Sequence, residues 1–326
     1  MRPLLLALFC IAAVPLVAPF PLFSSVARAQ TGAAAAAPKG GSQAVNQTGN
    51  QAGNQTAEVK PGEDAFLRGM QAKSKRLIPL VIKEFTEASD AGHADAQHLL
   101  GLMHLRGDGV KMDPAHSVAW FERALQKNHP LAATTLGEMH EQGNGVAKNP
   151  ARAAQLYERA AVIGFPPAQT KLGALFEAGS GVPKSAHTAL DWYSLAAAQG
   201  YWDAQHRLGR LLKEGRAGEF DYKESVRLFE ASAKGGNSYA KVSLGEMYED
   251  GLGVKADRNK AAALYREAIK DGEPAGKRKL AEMMSGKPKA PVALAAAPKK
   301  AAAANAANTA NPATAKKSES GQHGTQ

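Results

Sequence analysis

Small and apolar side chains in the middle of the chain fall at helical intervals. Ala132, Leu136, Met139 and His140 stand at i, i+4, i+7 and i+8, which puts them on one face of a helix. Ala153, Leu156, Tyr157, Ala160 and Ala161 form a second such stripe in the same unit. This pair of predicted helices then recurs. Leu100-Gly101, Leu136-Gly137, Leu172-Gly173, Leu208-Gly209 and Leu244-Gly245 lie 36 residues apart, and Leu280-Ala281 continues the series. An alanine precedes each glycine by five residues, from Ala96 to Ala240. An aromatic follows each by twenty: Phe121, Tyr157, Tyr193, Phe229 and Tyr265. A gapless period of this length means stacked helical units, each burying its apolar face on its neighbours.

The ends of the second helices are written in the same register. Asp113, Asn149, Ser185, Asp221 and Asp257 precede them as N-cap residues whose side chains can accept a free backbone N–H. Pro114 and Pro150 occupy the first helical position, where a missing N–H costs nothing. Asn128, Gly164, Gly200, Gly236 and Gly272 follow as residues that tolerate a left-handed C-cap. The predicted fold is all-α, a solenoid of helix-turn-helix repeats with a 36-residue period. A degenerate first unit covers 62–92, where Ile82, Phe85, Ala88 and Gly92 keep the register. Five full repeats cover about 93–272, and a capping helix covers 273–285.

Composition separates this body from its flanks. Residues 30–61 and 286–326 carry almost no large apolar side chains and are expected to be disordered linkers. The formal charge of +10 sits largely in the flanks, with six lysines against Glu319 in the tail alone. The nearly neutral body therefore gives no case for nucleic acid. Met1-Arg2-Pro3, an uncharged run from Leu4 to Phe23, and Ala27-Arg28-Ala29 before Gln30 have the layout of a signal peptide over residues 1–29. An uncleaved anchor is the competing reading, weakened by Pro15, Pro19 and Pro21. Cleavage would remove Cys10, the sole cysteine, and leave no membrane span. The expectation is a periplasmic or secreted monomer.

The recurring run Ala…Leu-Gly-x-Met/Leu-x-x-x-Gly-x-Gly-Val, an Asx or Ser cap, then apolar-aromatic-x-x-Ala-Ala and Gly resembles the Sel-like repeat family, a branch of the tetratricopeptide superfamily. The fourth unit departs from it, with Ala217 in place of the second loop glycine and Gly218 in place of valine. The resemblance implies a right-handed α-solenoid that binds protein or peptide partners, often as an adaptor in signalling or at the cell envelope.

Candidate chemistry is sparse. Gly143-Asn144-Gly145-Val146-Ala147-Lys148 looks like a phosphate-binding loop when read alone. A helix rather than a strand precedes it, however, and its lysine column reads Met112, Lys148, Lys184, Phe220 and Ala256. His98 and His206 share a column but lie three repeats apart, too far to share a metal. Ser238-Tyr239-Ala240-Lys241 matches Ser-x-x-Lys and supplies the alternative of a hydrolase acting on β-lactams or cell wall, as suggested for cysteine-rich Sel-like relatives. Its companion motifs are absent. No catalytic, metal or cofactor residue is assigned, and the chain reads as a non-enzymatic scaffold.

Recognition is expected on the first helix of each pair, where columns vary over the fixed frame. The candidate partner-binding residues are Glu138, Gln142, Lys171, Arg207, Arg210, Glu214, Glu246 and Asp250. An ordinary solvated face is the competing reading of the same mixture of charge.

Overall fold

The structure is a computed structural model that describes residues 62–285 except Glu219. The signal segment, both linkers and Cys10 lie outside the described residues. Those described form thirteen helices and no strand. The degenerate first unit is a true helix pair, α1 (Glu63–Ser74) and α2 (Ile78–Asp90). Five pairs follow it. They are α3 (Ala94–Arg106) with α4 (Pro114–Gln126), α5 (Pro130–Gln142) with α6 (Pro150–Ala161), and α7 (Pro166–Ala178) with α8 (Ala186–Ala198). Then come α9 (Trp202–Glu214) with α10 (Tyr222–Lys234), and α11 (Ser238–Asp250) with α12 (Arg258–Lys270), before the closing α13 (Pro274–Met284). Each helix packs on the next. First helices also touch first helices, α5 on α7, α7 on α9, α9 on α11 and α11 on α13, and so make one continuous layer.

All five expected N-caps are made. The side chains of Asp113, Asn149, Ser185, Asp221 and Asp257 each accept a backbone N–H of the following helix. Each such cap stabilises its helix by about 1 kcal/mol. At the far ends Gly164, Gly200, Gly236 and Gly272 have φ between 81° and 93°, and Asn128 has φ 55°. First helices end on a left-handed glycine as well, Gly143 at φ 80° being one of five.

The Leu-Gly pair has a packing reason. A Cβ on Gly137 would lie 2.5 Å from Tyr157 Cε1, and one on Gly101 equally close to Phe121. The ring of the second helix rests on the bare backbone of the first, and Phe121, Tyr157, Tyr193, Phe229 and Tyr265 are fully buried as a result. Gly69 and Phe85 make the same contact in the first unit. Their sequence separation is shorter because only Lys75–Leu77 connects α1 to α2.

Candidate interaction surface

The Gly-x-Gly loops join neighbouring repeats. A Cβ on Gly145 would come within 2.5 Å of the Pro114 carbonyl carbon in the preceding repeat. One on Gly181 would meet the backbone of Pro150 and Ala151, and one on Gly253 that of Tyr222. The second glycine therefore seats each loop against the first turn of the previous second helix, as well as permitting its own φ of 72° at Gly145. The loop amides are also used. Those of Gly143 and Asn144 donate to Met139 O, and that of Asn149 donates to His140 O. These bonds and the seat against the previous repeat account for the loop as a helix connection, and Lys148 stands exposed. In the fourth unit the positive φ moves to Gly218 (92°), which has open space around it except for His187 at 4.0 Å. The irregularity is confined to the loop, since α9 and α10 keep their full length.

The histidines at fixed columns pack where they stand. His98 lies against Phe121 and His129, and His206 against Phe229, with its Nε2 3.1 Å from Ser243 Oγ. His104 lies against His116. No group of three or more histidines and carboxylates among the described residues is arranged to hold a metal.

In Ser238-x-x-Lys241, Ser238 opens α11 behind the cap residue Asn237. The Lys241 ammonium is held 2.7 Å from Asp271 and 3.6 Å from Glu267, both at the end of α12. The hydrogen bond to Asp271 and the two nearby carboxylates raise its pKa above the usual lysine value. The lysine is thus kept charged, the opposite of what a general base for Ser238 requires. Elsewhere in this column Gln97, Gln169 and Gln205 donate to carbonyls at the end of the preceding second helix, at 3.1–3.4 Å. The column ties one helix to another.

The eight candidate recognition residues lie on the layer of first helices, and most engage each other or a neighbouring repeat. Glu138 pairs with Lys171 at 2.9 Å. Arg210 pairs with Glu177 at 2.6 Å, and Glu246 with Lys213 at 2.6 Å and Lys279 at 2.8 Å. The partners are 33 residues apart, three short of the repeat period, because each bond leans by almost one helical turn. Burial would push the Glu246 carboxyl up, but its two lysines bring it below its ordinary value. Arg207 bonds Asp203 at 3.0 Å and reaches the Tyr193 hydroxyl. Glu214 pairs with Arg216. Asp250 is half-buried and acts electrostatically on Tyr265. Gln142 is exposed.

Exposed pairs of this kind are individually worth about 0–1 kcal/mol. As a series they fix the register of successive first helices, so the sign pattern along the row is largely self-complementary. Two side chains left to solvent on the same row are large: Leu131 on α5 is 45% exposed and Tyr239 on α11 is 59% exposed. They stand seven residues before Glu138 and Glu246, two helical turns away on the same face. Leu67 and Met70 on α1 are 55% and 41% exposed. Leu131 and Tyr239 fall outside the variable columns, and Leu67 and Met70 precede the five full repeats, so none of the four stands out in the sequence.

A stack of capped helix pairs, joined at glycine turns and by ion pairs between first helices, defines an α-solenoid of the repeat class. The Sel1 repeat matches residues 94–129, 130–161, 166–201, 202–237 and 238–273, more than half of the chain. The chain belongs to the Sel1 repeat family. Among solved structures it is similar to c5321, a protective antigen of uropathogenic Escherichia coli with an SLR fold. There the TM-score is 0.64 at 27% identity, covering 73% of this chain and 52% of that one, so the chain spans about half of that antigen. It is also similar to a Sel1 repeat protein from Oxalobacter formigenes, at TM-score 0.62 and 26% identity, covering 70% of this chain and 93% of that one. No curated protein matches the sequence. The family's repeats are scaffolds typical of protein–protein interaction. No helix among the described residues is long and apolar enough to cross a membrane.

Proposed function

We propose that the protein is an exported, non-enzymatic scaffold that binds a protein or peptide of the cell envelope along its layer of first helices. One observation carries this reading. Ion pairs tie successive first helices of that layer together, yet large apolar side chains, Leu131 and Tyr239 above all, stay exposed on it. Exposed aromatic and aliphatic anchors among polar neighbours are what protein recognition uses, because burying them on binding supplies most of the affinity. The export part of the proposal rests on the signal-like layout of residues 1–29 and makes the partner a periplasmic or secreted one. A concrete version is a regulator that restrains an envelope sensor or an exopolysaccharide system.

The paired charges make poor probes of binding, since reversing Arg210 would strip Glu177 of a structural partner. The test is affinity capture from an envelope extract with the natural chain and with Leu131→Asp/Tyr239→Asp. Both substituted side chains are exposed, so the variant should keep its helical circular dichroism. The expected result is a defined partner retained by the natural chain and lost by the variant. The same partner on both would overturn the assignment of the surface.

A further inference from the structure

Two histidines cap first helices at the first junctions of the solenoid, and a third lies against one of them. His93 and His129 are the N-cap residues of α3 and α5, and both are buried. The backbone N–H of Ala132 donates to His129 Nδ1 at 3.1 Å, and that of Ala96 donates to His93 Nδ1 at 3.4 Å. In each ring Nδ1 is therefore the acceptor and Nε2 carries the proton. The Nε2–H then reaches back one repeat, from His129 to Asp95 at 3.0 Å and from His93 to Glu63 at 3.2 Å. His98 lies 5.0 Å from His129 between ring centroids, also buried, and its Nε2 has no hydrogen-bond partner among the described residues. Phe66 stacks on His93 at 4.2 Å. One bifunctional ring thus caps a helix and bonds the preceding repeat, twice in succession.

We propose that His93 and His129 form a pH-responsive hinge in the first two repeat junctions, closed when both rings are neutral. A second proton must enter His93 or His129 at Nδ1, which then cannot accept from the helix. A cation at a helix N-terminus also opposes the helix dipole. Glu63 of α1 faces His93, and Asp95 of α3 faces both rings, its Oδ2 4.0 Å from His93 Nδ1 and its Oδ1 3.0 Å from His129 Nε2. Arg106 of α3 acts against a charged His98. At the same junctions Asp90 at the end of α2 pairs with Arg123 of α4, and Arg159 of α6 bonds Asn128, so neither pair is free to compensate. His98 is pushed down to about 4, by burial first and then by His129. The corresponding cap positions farther along are Phe165, Tyr201, Asn237 and Glu273. None is a histidine, so the device belongs to the end of the solenoid that carries Leu67 and Met70.

Hydrogen exchange of the full chain at pH 7.5 and pH 5, corrected for intrinsic rates, tests the hinge. Protection of the amides of Ala96, Gln97, Ala132 and Ala133, which bond to the two caps, should fall at least tenfold more than that of amides 238–241, which follow the Asn237 cap in the same molecule. The variant His93→Asn/His129→Asn, with caps that do not titrate, should lose this difference. Equal loss of protection at 238–241 in the natural chain, or an unchanged difference in the variant, would overturn the proposal.

Discussion

The Tyr157 hydroxyl donates to Glu141 at 2.7 Å, across the top of a ring that lies flat on Gly137. Tyr193 does the same with Glu177 at 2.9 Å, and Tyr265 with Glu249 at 2.8 Å. Where the residue four past the glycine is Leu105 or Lys213, the buried ring is Phe121 or Phe229. A phenolic hydroxyl occurs in this column only where a carboxylate on the facing helix can accept it. Burial and the neighbouring carboxylate raise the pKa of each of these tyrosines, so the hydroxyl stays protonated and keeps donating.

Exchanging the two ring types should cost stability in both directions. Tyr157→Phe removes one hydrogen bond to a charged acceptor and is expected to lower unfolding free energy by about 1.5–3 kcal/mol. Phe121→Tyr places a hydroxyl opposite Leu105 with no acceptor and should cost about 1–3 kcal/mol. Urea denaturation followed by circular dichroism reads both. A neutral Phe121→Tyr would show that the pairing of ring and carboxylate is incidental.

Alanine ordinarily stabilises a helix interior by about 1 kcal/mol relative to glycine. Gly137→Ala should do the reverse, because its Cβ would need space taken by the Tyr157 ring. The expected loss is about 1–3 kcal/mol, the range for overpacking a core. Gly164→Ala is the control with open surroundings. Its cost arises from φ 89° alone, about 1 kcal/mol.

The loops predict a contrast between repeats. Gly181→Ala would drive a methyl into the backbone of Pro150 and Ala151 and should broaden unfolding, because it strikes the interface on which cooperativity between repeats depends. Gly218→Ala meets no such backbone, so only its backbone strain should register. Calorimetric transition widths of the two variants give the comparison.

His98 and His206 are both pushed down to about 4, chiefly by burial. The unfolded chain then binds protons that the folded chain refuses, once pH falls below about 6.5. Stability is complete above that value and should decline between pH 6.5 and 4, by on the order of a few kcal/mol. Chemical denaturation across that window, compared with His98→Gln/His206→Gln, tests the source. The variant's slope between pH 6.5 and 5 should be markedly flatter.

The period, the helix pairs and the Asx or Ser caps could be read from sequence because each depends on residues a few positions apart, repeated in register. The ion pairs could not. Arg210 and Glu177 are separated by 33 residues, so no column of a 36-residue alignment contains both members. Several charges of the variable columns hold ion pairs of this kind, Glu138 with Lys171 and Glu246 with Lys213 among them. His93 and His129 were missed as caps because neither resembles the Asp, Asn and Ser of the second helices. Gly145 could be read as a turn residue, but its approach to Pro114 depends on the packing of two repeats.

Partner binding on the layer of first helices is the proposal on which the functional reading depends. Site-specific photo-crosslinking in cells tests it most directly, with the crosslinker placed at Leu131 or Tyr239 on that layer and, separately, at Met112 in a loop or Ile163 at the end of a second helix. All four positions are exposed. A discrete adduct of one mass is expected from Leu131 and Tyr239, and none of that mass from Met112 or Ile163. The same adduct from Met112 or Ile163, with none from Leu131 or Tyr239, would contradict it.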